Sequence, residues 1–187
     1  MKYPNSNKVY KKPNSSAANR GMSLEEDINK SNQYYLTNDL AVIYKKPTPI
    51  TIVNVDYPKR SAAKITEAYF KVASTTDYNG IYKGKYIDFE AKECHSKTSF
   101  PFSSIHPHQI RHLDDVLRHG AIAFIILRMT FYNETFLIKA DQFISYYLSG
   151  KRKSLSYAWI KEKGILIAGR YGNPCDYLSV VDQLYQL

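Results

Sequence analysis

The sequence predicts a mixed α/β domain in which helices and strands share one sheet, with a long excursion leaving that sheet early in the chain. Three observations carry this. Apolar residues recur at helical spacing in some stretches and alternate with period two in others. Several short apolar runs have the length of buried strands, and one segment rich in β-branched residues is interrupted by three prolines. With 187 residues and 44% hydrophobic composition, the chain is long enough for one globular unit with a real core.

Residues 1–20 are rich in Lys, Asn, Ser and Pro and nearly free of aliphatic side chains, so a flexible basic arm is expected there and the folded domain in 21–187. Ser23 is placed to cap a helix, with Glu26 at the capping-box position. Leu24, Ile28, Ser31 and Tyr35 then follow one face of that helix, which ends near Asn38. Residues 39–45 read as a strand. The excursion, about 46–72, combines β-branched residues, prolines that block central-strand pairing and a basic cluster. The chain then returns at Ala73, with turns expected at Asn79-Gly80 and around Lys83-Gly84-Lys85.

Tyr86 to Glu93 is the informative strand. Alternation puts Ile87, Phe89 and Ala91 on one face and Asp88, Glu90 and Lys92 on the other. Pro107 opens a helix that Gly120 stops, and Gln109 shares its apolar stripe with His112, Leu113 and Val116. An amide in that position needs a partner. Two buried strands (121–129 and 133–140), a short helix (141–148), a further strand or extended piece (163–170) and a closing helix (176–187) complete the reading.

Twenty-six Lys and Arg against 17 Asp and Glu give a formal charge of +9, which points toward an anionic partner; a merely soluble basic protein is the plainer alternative. Cys94 and Cys175 have no paired spacing, so neither a disulfide framework nor a zinc knuckle is indicated and a reducing cytoplasm fits. The apolar run 121–127 is too short to span a bilayer, and no apolar signal core opens the chain, so no membrane role is expected.

The chemistry lies in Asp77, Glu90 and Lys92. Two carboxylates brought together bind a hard divalent cation such as Mg²⁺. A neighbouring ammonium can offset charge developing on a phosphate, or orient and help deprotonate the attacking water. Thr75 shares a face with Asp77 if that segment is extended, and Gln109 can offer its amide to the same site.

An acid, a short hairpin and Glu-x-Lys resemble the PD-(D/E)xK nuclease superfamily. NRGMSLE (19–25), residues 34–62, EAYF (67–70), STTDYNGIYKGKYIDFEAKE (74–93), KTSFPF (97–102) and HQI (108–110) together resemble the RecU Holliday-junction resolvases of Gram-positive bacteria. The resemblance is dense over 19–127 and looser beyond. It implies a restriction-endonuclease-like core with a protruding stalk, in a homodimer that cuts opposed strands of a four-way DNA junction with Mg²⁺ or Mn²⁺. Recombination proteins are further implied partners. It also implies that Thr75, Asp77, Glu90 and Gln109 surround the metal, and that Lys92 stabilises the transition state. The excursion would be the stalk, with Lys59 and Arg60 on phosphates and Tyr57 or Phe70 near unstacked bases.

Plainer roles stand beside several of these. Glu26 is explained by the cap and is only a secondary site candidate. Asp88 reads equally well as a solvated strand-end acid and is left out of the site. Lys45, Lys59, Arg60 and Lys64 are DNA-contact candidates that could equally solubilise an exposed loop. His108 and His112, at i and i+4, have no third ligand at zinc spacing. A duplex-cutting restriction-like enzyme and a non-cleaving junction-binding architectural protein remain as alternatives.

Overall fold

The structure is a computed structural model that describes residues 23–71 and 75–187. The expected arm and the return at Ala73 lie outside the described residues. In chain order the elements are α1 (Leu24–Thr37), β1 (Ala41–Lys45), β2 (Ile50–Asp56), β3 (Lys64–Phe70), β4 (Tyr78–Tyr82), β5 (Lys85–Cys94), β6 (Ser99–Pro101), α2 (Pro107–Arg118), β7 (Ile122–Met129), β8 (Glu134–Lys139), α3 (Ala140–Leu148), β9 (Ser154–Ser156), α4 (Tyr157–Lys163), β10 (Ile165–Leu166) and α5 (Tyr177–Tyr185).

The start of α1 follows its local chemistry. The Ser23 hydroxyl accepts the Glu26 N–H at 3.3 Å, and the Glu26 carboxylate accepts the Ser23 N–H at 3.2 Å, closing a capping box. Leu24, Ile28 and Tyr35 on the following stripe are buried. They pack, with α5, against one face of a six-stranded sheet ordered β1-β4-β5-β7-β8-β10. Helices α2, α3 and α4 cover the other face. Neighbouring strands are antiparallel except β5 and β7, which run parallel, with α2 in the connection that such a pair requires. Covered on both sides, β7 is apolar almost throughout rather than alternating. Among the described residues no helix is long and apolar enough to cross a membrane.

The excursion forms its own two-stranded antiparallel hairpin, β2 with β3, pairing Ile50 with Phe70 at the root and Asp56 with Lys64 near the tip. At strand rise it projects about 20 Å. All of β2 is exposed, and so is β3 apart from partly buried Glu67. The register shifts on either side of Asn54, an irregularity of the bulge type. Prolines 47, 49 and 58 lie outside the paired strands, which is why they do not break them.

One expectation fails here. Asn79 and Gly80 form no turn; they pair within β4, between β1 and β5. Glycine is needed there for close approach, since an added Cβ would meet the Val42 carbonyl oxygen and lie 2.6 Å from Ile43 Cα. The turn is the two-residue Lys83-Gly84 connection, both residues at positive φ (47° and 73°), as a tight hairpin demands. Within the strand or extended piece expected at 163–170, Ile165–Leu166 forms β10 and pairs with β8.

Gly80→Ala is expected to lower the free energy of unfolding by about 2 kcal/mol or more, because backbone rather than a flexible side chain must move. Urea denaturation reads the change; an unaltered midpoint would contradict the close packing of β1 on β4.

Candidate active site

Strand alternation alone decides which groups of β5 meet α2. Ile87 and Phe89 enter the core beneath α1 and α5, while Asp88 and Glu90, both fully buried, turn to the α2 side. The segment leading into β4 brings Asp77 alongside, and the first turn of α2 brings Gln109. Glu90 is the common partner. Its carboxylate accepts the Asp77 backbone N–H at 3.2 Å, the Gln109 side-chain N–H at 2.7 Å and the Lys92 ammonium at 2.5 Å.

Gln109 resolves the awkward amide on an apolar stripe by using both ends within the protein. Its Nε2 donates to Glu90 and its Oε1 accepts the His106 N–H at 3.0 Å, at the start of the helix. The Glu90 carboxyl is pushed up to about 7, chiefly by burial and further by the nearby charge of Asp77, with the Lys92 ammonium opposing both. A cleft of about 210 Å³ opens beside these groups, with Asp77, Lys92, Lys45, Glu25 and Glu93 on its walls.

Among the described residues no three His, Cys, Asp or Glu side chains gather as a metal-ligand cluster. A cation here would therefore draw on two carboxylates, other oxygens and water, which is how Mg²⁺-type ions bind. The donor set fits such an ion, because charging Glu90 beside Asp77 in a buried setting is costly until more positive charge arrives.

A family model described as Recombination protein U, RecU, matches residues 19–183. The chain belongs to the RecU family. A protein named Holliday junction resolvase RecU from Oceanobacillus iheyensis is 52% identical over 99% of this chain and 100% of its own length. One from a Geobacillus strain is 58% identical over 89% of this chain and 85% of its own. A solved Holliday junction resolvase, Hjc of Archaeoglobus fulgidus, superposes with a TM-score of 0.44 at 12% identity, covering 78% of this chain and 95% of that one. This RecU-family chain is thus built on a mixed sheet with helices on both faces, and the β2–β3 hairpin pairs outside that sheet.

Of the residues expected at the site, the structure unites Asp77, Glu90, Lys92 and Gln109. Thr75 lies half-buried in the bent approach to β4, so strand alternation does not tie its face to that of Asp77. Lys45 stands at the cleft, paired with Glu25 at 2.6 Å, and not on the hairpin. Lys59, Arg60 and Tyr57 cluster at the exposed hairpin tip, whereas Phe70, 84% exposed, is at its root and Lys64 begins the returning strand. Tyr57 and Phe70 thus occupy opposite ends. Glu26 is engaged in the helix cap.

Asp88 overturns its expected description. It is no solvated strand-end acid: it is wholly buried and bound by Lys46, Thr76, Tyr86 and His112. Its place on the Glu90 face was visible in the alternation; its partners, 24 and 42 residues away for His112 and Lys46, were not.

Because the folded carboxyl of Glu90 titrates near 7 and an unfolded one near its ordinary value of 4.5, ionising it works against the fold as pH rises through that interval. Without metal, Glu90→Gln is expected to melt a few degrees above the parent at pH 8, a gap of the size a kcal/mol-scale change gives, and to lose that advantage toward pH 5. Thermal scans in EDTA at the two pH values check this; a parent that melts higher at pH 8 would refute it.

Proposed function

We propose that this chain is a Mg²⁺-dependent Holliday junction resolvase that hydrolyses phosphodiesters in two opposed strands of a four-way DNA junction, acting as a homodimer in the cytoplasm during recombinational repair. One observation carries the reading: in a RecU-family chain, buried Glu90 is bound by Asp77, Lys92 and Gln109, and Asp77 and Lys92 line an open cleft. Relatives 52% and 58% identical bear the name Holliday junction resolvase RecU.

Asp77 and Glu90 would hold the cation, with an oxygen of Thr75 as a further donor. Gln109, its amide already engaged, acts by fixing the orientation of Glu90. When bound, a divalent ion supplies positive charge against the phosphate and acidifies water. Lys92 does the protein's own part of the chemistry. With its ammonium held by Glu90 and its side chain 24% exposed, it can donate to a phosphate oxygen as charge builds during the attack of water on phosphorus.

The +9 charge gathers phosphates, and the hairpin presents Lys59 and Arg60 about 20 Å from its root. Such a projection suits the open centre of a four-way junction, while a linear duplex leaves it nothing to enter. Two-fold symmetry would present two clefts to a roughly two-fold substrate, giving paired cuts.

The deciding assay compares a synthetic four-way junction with its linear arms, in Mg²⁺ and in EDTA. Cleavage of the junction alone, only with metal, is expected. Binding without cleavage would support an architectural protein, and equal cutting of the arms a restriction-like enzyme. Asp77→Asn and Glu90→Ala should each lower the cleavage rate by about a hundredfold or more while leaving junction binding nearly intact. Arg60→Ala should narrow the preference for junction over duplex in competition binding; unchanged discrimination would remove the hairpin from recognition.

A further inference from the structure

Asp88 is 0% exposed, yet it is bound by groups from four separate segments. The Lys46 ammonium, at the root of the hairpin, lies 2.9 Å from its Oδ2. The Thr76 hydroxyl, on the loop that carries Asp77, donates to its Oδ1. The Tyr86 hydroxyl, at the start of β5, is 2.9 Å away, and His112 Nε2, one turn beyond Gln109 on α2, is 3.1 Å away. Lys46 holds on twice more. Its ammonium also reaches the Thr76 hydroxyl at 2.9 Å, and its backbone N–H donates to the Asp77 carbonyl at 2.7 Å.

Resting on the resolvase reading above, we propose that Asp88 and Lys46 form a positioning pair: a buried latch that holds the Asp77 loop and the hairpin root in register with the strand carrying Glu90 and Lys92. The geometry supports this over a plain packing role in two ways. A carboxylate without water is costly unless its oxygens are saturated, and here the saturating donors come from the hairpin root, the Asp77 loop and α2 as well as from β5 itself, rather than from one element. And Lys46 is bonded to both ends of the arrangement, Asp77 by backbone and Asp88 by side chain, so displacement of the hairpin root acts on Asp77 directly. The rival view makes Lys46 a phosphate contact, but its side chain is 19% exposed and its ammonium is engaged inward.

The test uses the full chain, a labelled four-way junction and the variants Lys46→Gln, Asp88→Asn and their double. Cleavage is followed in single turnover with enzyme in excess, across a Mg²⁺ titration, and junction binding is measured separately in EDTA. Each single variant should cut about tenfold more slowly, with binding within about twofold of the parent and half-maximal Mg²⁺ shifted upward; the double should be no slower than the slower single, because the two residues act as one unit. Rates that multiply in the double would overturn the pair. So would weakened binding with normal cleavage at saturating enzyme, which marks a phosphate contact. Loss confined to Asp88→Asn, with Lys46→Gln unaffected, would make Asp88 a metal ligand instead and also overturn it. If Asp88→Asn melts below the assay temperature, Thr76→Val replaces it in the cycle with the same expected non-additivity. A parent that leaves junctions intact under every metal condition would fail the resolvase reading, an outcome distinct from all of these.

Discussion

A carboxylate cut off from water has to be held in place by something, and the way Glu90 is held organises the rest of this molecule. Burial alone makes its ionised form costly, and Asp77 adds to that cost. The offsetting groups each arrive from a different element: an ammonium two residues along the same strand, an amide from the first turn of α2, and a backbone N–H from the loop before β4. The site is therefore a strained electrostatic arrangement that the surrounding sheet and helices must enforce. Catalytic centres commonly trade folding stability for such arrangements.

The enforcement comes from topology. Strand β5 lies near the middle of the sheet, antiparallel to β4 on one side and parallel to β7 on the other. The antiparallel neighbour allows a two-residue turn, which brings Asp77 back beside Glu90 with little chain between them. The parallel neighbour demands a crossover, and the crossover helix α2 delivers Gln109 and His112 onto the polar face of β5. Below the sheet, stacked Tyr78, Phe89 and Phe124 keep the opposite face rigid, with ring centroids 4.8 Å apart in each pair.

Much of this was legible in the sequence because it is encoded locally. The Ser23–Glu26 cap, the helical stripe after it and the period-two alternation through 86–93 each need only a few adjacent residues to read. The Glu90-Lys92 face and the departure of the hairpin from the core followed from the same logic. What stayed hidden depends on long-range packing. Asn79-Gly80 carries the signature of a turn, yet Gly80 serves the approach of β1, which no local pattern records. Three-residue β6 and β9 pair across more than fifty positions and leave too little periodicity to detect. The burial of Asp88 is equally hidden from local pattern, because its nearest charged partner in space is 42 residues distant in the chain.

The hairpin carries a chemical liability of its own. Two strands lined with exposed Ile50, Ile52, Val53, Val55, Ile65 and Tyr69 present unsatisfied outer edges to any other chain they meet. The displaced register around Asn54 twists that ribbon away from the flat shape on which foreign strands extend, and the lysines and arginine toward its end add repulsion between copies. An exposed projection of this kind is thus also shaped against self-assembly, so evening out its irregularity or neutralising its tip would trade solubility for straightness.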